Sequence, residues 1–174
     1  MTTSQDNFHK WFVSPLEALN EDEHAAFVVL MVAFPLLERY LREKSGVGEG
    51  ALTDHFYDKF YKIIRAPSRD RVPDLWHSYR NGLLHQATFS KKKRNGRVMP
   101  ASFITSAVSL IEYDSDNGSF YVNPKTFSEK IITEIQDNFD VFEGMSSENH
   151  PLPQVRSIPP VADTGDTPRE SGVP

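Results

Sequence analysis

A chain of 174 residues, 39% of them hydrophobic and 11% aromatic, is long enough for one well-buried core, and its lack of cysteine excludes disulfides, thiolate metal sites and a cysteine nucleophile. A formal net charge of −5 argues against a protein that coats nucleic acid non-specifically, yet leaves room for a local phosphate-binding patch. No charged start followed by an apolar run looks like a signal peptide, and the most apolar stretch, 25–37, is too short for a bilayer and closely flanked by charges. A soluble, cytoplasmic protein with no membrane association is the expectation.

Residues 1–13 are polar with Phe8, Trp11 and Phe12 embedded, aromatics expected to dock on the rest of the chain. Ser14-Pro15-Leu16-Glu17 reads as a capping box with proline at the first helical position, opening a short helix that ends near Asn20. Asn20 with Glu23 is a second N-terminal signal. The helix that follows, about 21–44, places Phe27, Leu30, Met31, Phe34, Leu37 and Leu41 on one face. Pro35 should kink it, because proline removes a backbone donor and crowds the preceding turn. Gly46-Val47-Gly48-Glu49-Gly50 stops it; with no strand before this loop and no Gly-Lys-Ser/Thr ending, it is not a P-loop.

Leu52, Phe56, Phe60, Ile63 and Ile64 mark the buried face of a further amphipathic helix, 52–64. His55 and Asp58 on it have the spacing of a metal pair but lack a third ligand, so neither a metal site nor a cofactor is expected. Ala66-Pro67-Ser68 breaks the chain. A third long helix, about 73–86, buries Val72, Leu75, Trp76, Tyr79 and Leu83. At about 100° per residue, Asp74, His77, Ser78, Asn81 and His85 fall on a second, polar stripe, with Arg80 close enough to reach round to it. An arginine and a histidine near a helix end can also simply pair with a carboxylate and the last carbonyls.

Beyond residue 86 the pattern turns to β. Segments 87–93 and 97–99 around Asn95-Gly96 read as a hairpin; 102–108 reads as strand or short helix; 108–113 and 120–122 around Asp116-Asn117-Gly118 read as a second hairpin. Asn123-Pro124 caps a last helix that buries Phe127, Ile131, Ile135, Phe139 and Phe142 and ends at Gly144. Six of the twelve prolines fall in the final 24 residues, and no aromatic follows Phe142. Such a segment cannot offset its own ordering entropy, so 146–174 is expected to be a disordered, acidic, proline-rich tail.

The stretch Tyr79-Arg80-Asn81-Gly82-Leu83-Leu84-His85 carries Arg-x4-His with asparagine directly after the arginine. It resembles the signature of the HEPN superfamily, small helical-bundle proteins, commonly dimeric, many of them metal-independent RNases. The order of elements from about 14 to 144 is also similar. The resemblance implies an all-α, four-to-five-helix bundle over 1–145 with a small β-hairpin insertion at about 87–122. It also implies a homodimer in which two motifs build one composite site, with Arg80 and His85 catalytic and Asn81 in support.

The chemistry suits those residue types. An imidazole, with an unperturbed pKa of about 6.5, can take the ribose 2′-OH proton or protonate the leaving 5′-oxygen. A guanidinium offsets charge on the phosphate. The expected products are a 2′,3′-cyclic phosphate (or 3′-phosphate) and a 5′-hydroxyl end. Asp74, His77 and Ser78 would share the facing surface, His77 being a second candidate histidine. Lys91, Lys92, Lys93, Arg94 and Arg97 form the only dense basic cluster and would hold an RNA backbone, with Phe89 stacking a base. A lysine-rich edge strand that discourages aggregation explains the same run equally well. The expectation is a metal-independent endoribonuclease of toxin or defence type, with RNA as substrate and an antitoxin protein as candidate partner. The alternative is a non-catalytic HEPN-like module that binds RNA, a nucleotide or a partner protein.

Overall fold

The computed structural model describes residues 4–48, 50–66, 68–81, 93–94, 97–98 and 101–143, with backbone alone at 81, 93–94 and 97–98. Gly144 and the tail 146–174 lie outside them. α1 (Ser4–Phe8), a π-helical turn (His9–Val13) and α2 (Ser14–Asn20) follow one another without a break. The chain therefore reaches Ser14 already helical (φ −59°, ψ −41°), and no side chain caps α2. The capping box expected there does not form. The docking of aromatics does occur: Phe8 is buried, its ring centroid 5.2 Å from that of Phe142 and 5.7 Å from that of Phe139.

The next helix is capped by Asp22 rather than Asn20: Asp22 Oδ1 accepts the His24 amide at 2.9 Å, while Asn20 Nδ2 donates to Ser128 Oγ at 3.0 Å. After a 3-10 turn (Glu23–Ala25), α3 (Ala26–Ser45) runs on through Pro35 and ends on Gly46 in the left-handed region, φ +67°. Leu30, Phe34, Leu37 and Leu41 are fully buried, with Phe27 and Met31 partly so. Glu23–Ser45 spans 23 residues, and its most apolar 18-residue window has a mean hydropathy of 1.5, long and apolar enough to cross a membrane by length and composition. That extent exceeds the 25–37 read from sequence. Half of its most apolar window is buried inside the protein, as a helix packed on several sides requires.

α4 (Asp54–Ile64) is N-capped by Thr53 and buries Phe56, Phe60, Ile63 and Ile64. Asp58 on its outer face accepts from Arg69 of a 3-10 turn (Arg69–Arg71); that hydrogen bond holds its carboxyl below the ordinary value, so Asp58 serves an ion pair. α5 is short, Val72–Trp76, and passes into a second π-helical turn, His77–Asn81. The continuous α-helix expected from 73 is thus replaced at His77 by a wider turn, and residues 82–86 lie outside the described set.

β1 (Lys93–Arg94) pairs antiparallel with β2 (Arg97–Val98), in line with the first hairpin. β3 (Ala101–Ile104), β4 (Ile111–Asp114) and β5 (Ser119–Val122) form a three-stranded sheet in the order β3-β5-β4. The β4–β5 hairpin matches the sequence reading. The ambiguous stretch resolves as β3, which lies parallel to β5 with Phe103 opposite Tyr121. The described residues are therefore mostly helical with a small mixed sheet. The all-α reading with a hairpin insertion does not hold as stated, because Ile111, Phe120 and Val122 join the main core. α6 (Pro124–Asp137) starts under the expected cap, Asn123 Oδ1 accepting the Thr126 amide at 3.3 Å. Asn138 leaves helical geometry, and α7 (Phe139–Glu143) carries Phe139 and Phe142 into the core.

A polar cross-link joins α3 to α6. Lys44 Nζ donates to Tyr40 Oη at 2.6 Å and to Glu134 Oε1 at 2.9 Å, and Tyr40 Oη donates to the same oxygen at 2.9 Å. Burial alone would raise the Glu134 carboxyl, but the bonds from Lys44 and Tyr40 outweigh it and hold it below its ordinary value. Burial likewise opposes the Lys44 charge, and the same partners still raise its pKa. A depressed carboxyl contributes stability above its unfolded pKa and loses it as pH falls through the folded value. A raised ammonium contributes below the ordinary lysine range and loses it as pH climbs through the folded value. Glu134→Gln is expected to cost about 1–2 kcal/mol at neutral pH and to flatten the acid limb, read from urea midpoints against pH. An unchanged acid slope would show the cross-link to be inert.

Candidate functional site

Glu38 lies on α3 one turn after Phe34 and just before Leu41, on the helix face turned to the core, and is 8% exposed. A carboxylate in that position needs partners, because burying an unpaired charge is costly. It has two. Arg42, one turn on, donates through Nε to Oε1 at 2.9 Å, with Nη2 also 2.9 Å away. Arg80, from the π-helical turn, donates through Nε to Oε2 at 2.6 Å. Each arginine takes one oxygen, so two guanidiniums share a single carboxylate. Arg42 Nη1 also donates to the carbonyls of Gly48 at 2.8 Å and Gly50 at 2.9 Å, fixing the glycine loop after α3.

These groups line a cleft of about 360 Å³. Its lining combines the charged Glu38, Arg42 and Arg80 with Ala51, Leu52, Tyr57, Trp76 and His77. Arg80 and its neighbour Tyr79 both contact α3, Arg80 at Glu38 and Tyr79 one turn earlier at Phe34. Tyr79 is fully buried, stacks on Phe34 (5.7 Å, 7°) and donates from Oη to the Phe103 carbonyl at 2.9 Å. Burial pushes its phenol well above the ordinary value, so it stays protonated and keeps that bond. The π-helical turn is thereby pinned to the sheet through Tyr79, and it supplies Arg80 and His77 to the cleft. Trp76 and Tyr79 are core residues, as their spacing indicated.

Arg80 and His77 are therefore brought together, and Arg80 does pair with a carboxylate. Asp74 and Ser78 are not part of an open polar seam. The Asp74 side chain is 15% exposed and lies 3.7 Å from Arg71, and Ser78 is buried with its Oγ lacking a hydrogen-bond partner among the described residues. Among the described members Ser78 leaves the stripe, because 100° per residue applies only as far as Trp76 and the wider turn from His77 shifts the phase of the side chains. Asn81 ends that turn and is described in its backbone alone. His85, Lys91, Lys92 and Phe89 lie outside the described residues. Lys93, Arg94 and Arg97 lie on the β1–β2 ladder, Arg94 opposite Arg97.

Sequence reading missed Glu38, Arg42 and Tyr57. A signal for the first was present: an acid at 38, one turn from both Phe34 and Leu41, interrupts an apolar face, with an arginine four residues on. No family model, curated protein or solved structure matches this chain.

Proposed function

We propose that this chain is a metal-independent endoribonuclease of HEPN type, in which Arg80 binds the scissile phosphate, His85 transfers a proton and Asn81 supports them, acting as a homodimer. The observation that carries the reading is the cleft in which Arg80, oriented through its Nε by Glu38, sits with His77. A guanidinium oriented in advance stabilises developing charge without reorganising at the moment of reaction. The reaction is transfer of the phosphoryl group to the neighbouring 2′-oxygen, leaving a cyclic phosphate and a 5′-hydroxyl. Lys91, Lys92, Lys93, Arg94 and Arg97 would hold the flanking backbone. The same reading makes the chain a cytoplasmic toxin- or defence-type protein, with RNA as substrate and an antitoxin as protein partner.

One observation favours a second reading. Arg80 and Arg42 both bind Glu38, as they would in a purely structural ion cluster, and a non-catalytic module that binds RNA, a nucleotide or a protein is compatible with that. The two part in one assay. Purified protein with single-stranded RNA and a metal chelator is expected to cleave, and Arg80→Ala is expected to lower the rate by about 10²–10³-fold while the fold survives. His85→Ala should fall similarly. RNA that is bound but left intact by the wild type supports the module, and equal cleavage by Arg80→Ala removes Arg80 from the mechanism.

A further inference from the structure

We infer that the open face of the β3-β5-β4 sheet is a docking site for an arginine-bearing segment of another protein. The strand register lays the site out. Phe103 of β3 lies opposite Tyr121 of β5, and Tyr121 lies opposite Glu112 of β4, so the three side chains form one row across the sheet. Alternation sends the next row, Ser102, Phe120 and Tyr113, to the other face, where Phe120 and Tyr113 meet the main core. The first row stays in water: Phe103 is 47% exposed and Glu112 is exposed. The Phe103 and Tyr121 rings stack on each other, 5.3 Å between centroids and 21° between planes. An aromatic pair held open in this way keeps apolar surface hydrated, a cost that a bound group relieves.

Charge decides what that group is. A cavity of about 400 Å³ is lined by Tyr121, Glu112 and Asp114 together with Thr105, Ala107 and Val108 of the β3–β4 connection, and no lining residue is a cation. Asp114 accepts from the amides of Asp116 and Asn117 and from the Asn117 side chain, while Glu112 has no ion pair with a described residue. Two carboxylates beside a tyrosine draw a positive group. Single-stranded RNA also stacks on open rings, but its phosphates would meet these carboxylates. A guanidinium satisfies both features, because it lies flat on an aromatic face and donates as a fork to a neighbouring carboxylate. An ammonium has no flat face to stack. The chain already contains such a pairing: the Arg71 guanidinium lies 5.2 Å from the Tyr113 ring centroid, with Asp74 3.7 Å away. A partner's arginine would repeat it on Tyr121 and Glu112. This cavity shares no lining residue with the Arg80 cleft, so the inference stands apart from the nuclease reading.

The test is an NMR titration of the full chain with the capped tripeptide Gly-Arg-Gly, with Gly-Lys-Gly, Gly-Glu-Gly and a short oligouridylate as comparisons. One guanidinium is expected to bind at millimolar affinity, so the titration runs to about 20 mM. The amides of Phe103, Glu112 and Tyr121 should shift and saturate with the arginine peptide, and binding should weaken as salt rises. The lysine peptide should bind about threefold or more weakly, and the glutamate peptide should leave the sheet unmoved. Glu112→Gln, an exposed change that leaves the core intact, should lose about tenfold in affinity. Tyr121→Phe, which keeps the ring, should bind within about threefold of wild type. Absence of shifts with the arginine peptide overturns the inference, as do equal shifts with all three peptides. Unchanged binding by Glu112→Gln overturns it too. Shifts at these residues from the oligouridylate, without any from the arginine peptide, give the sheet face to RNA instead.

Discussion

Glu38→Ala is expected to destabilise the protein by about 2–3 kcal/mol and, on the nuclease reading, to remove most of the cleavage activity. The carboxylate is the common acceptor for Arg42 and Arg80, whose side chains are 19% and 27% exposed. Truncation removes the carboxylate that the two guanidiniums share. Breaking a fully buried pair costs about 3–5 kcal/mol; here water reaches both arginines and relieves part of it. The functional loss follows because Arg80 loses the acceptor at its Nε, and Arg42, which also holds Gly48 and Gly50, takes the edge of the cleft with it when it shifts. Glu38→Gln separates charge from shape. It keeps one acceptor oxygen of similar position, so it should retain more stability than alanine while still lowering kcat/KM. Urea unfolding and RNA cleavage measured on both variants decide the matter. If Glu38→Gln matches wild type in both, the shared carboxylate has no role in orienting Arg80.

Phe34→Ala should produce the largest loss of stability, about 3–5 kcal/mol. Its ring is fully buried and meets three others: Phe127 at 4.7 Å, Tyr79 at 5.7 Å and Trp76 at 6.0 Å between centroids. Phe34 therefore ties α3 to α6 and to the turn that carries Arg80. The cost combines lost apolar burial with a cavity that surrounding helices cannot fill, and the stacked arrangement adds to it. Phe34→Leu keeps most of the volume and should cost markedly less, about 1–2 kcal/mol. The site should register the change as well, since Tyr79 loses its stacking partner while keeping its bond to Phe103. Chemical denaturation of the two variants tests the ranking. A Phe34→Ala protein within about 1 kcal/mol of wild type would mean that the cavity collapses, and that this ring does not organise the core.

The features legible in the sequence are those whose cause is local. Leu30, Phe34, Leu37 and Leu41, and again Phe127, Ile131, Ile135, Phe139 and Phe142, repeat at helical spacing and are all buried. Asn123-Pro124 caps α6 because capping needs only the next few amides. The β4–β5 hairpin was readable from its turn, where Gly118 takes φ +59°. Ser14 shows the limit of such rules. Its capping signal is sound in isolation, but the preceding residues are helical and leave no end to cap.

By itself, then, the sequence determined the apolar faces, two of the turns and the placing of Arg80 beside a buried Tyr79. Tertiary structure alone decided the rest. Arg80 found Glu38 across 42 positions of chain, Asn20 turned from capping to Ser128, and β3 came to lie parallel to β5 rather than in a hairpin. The physical reason is range. Helical faces, caps and tight turns depend on neighbours within a few residues, whereas a buried carboxylate takes whichever cation the folded chain brings to it, and the phase of His77 depends on a π-helical turn held by contacts to the core and sheet.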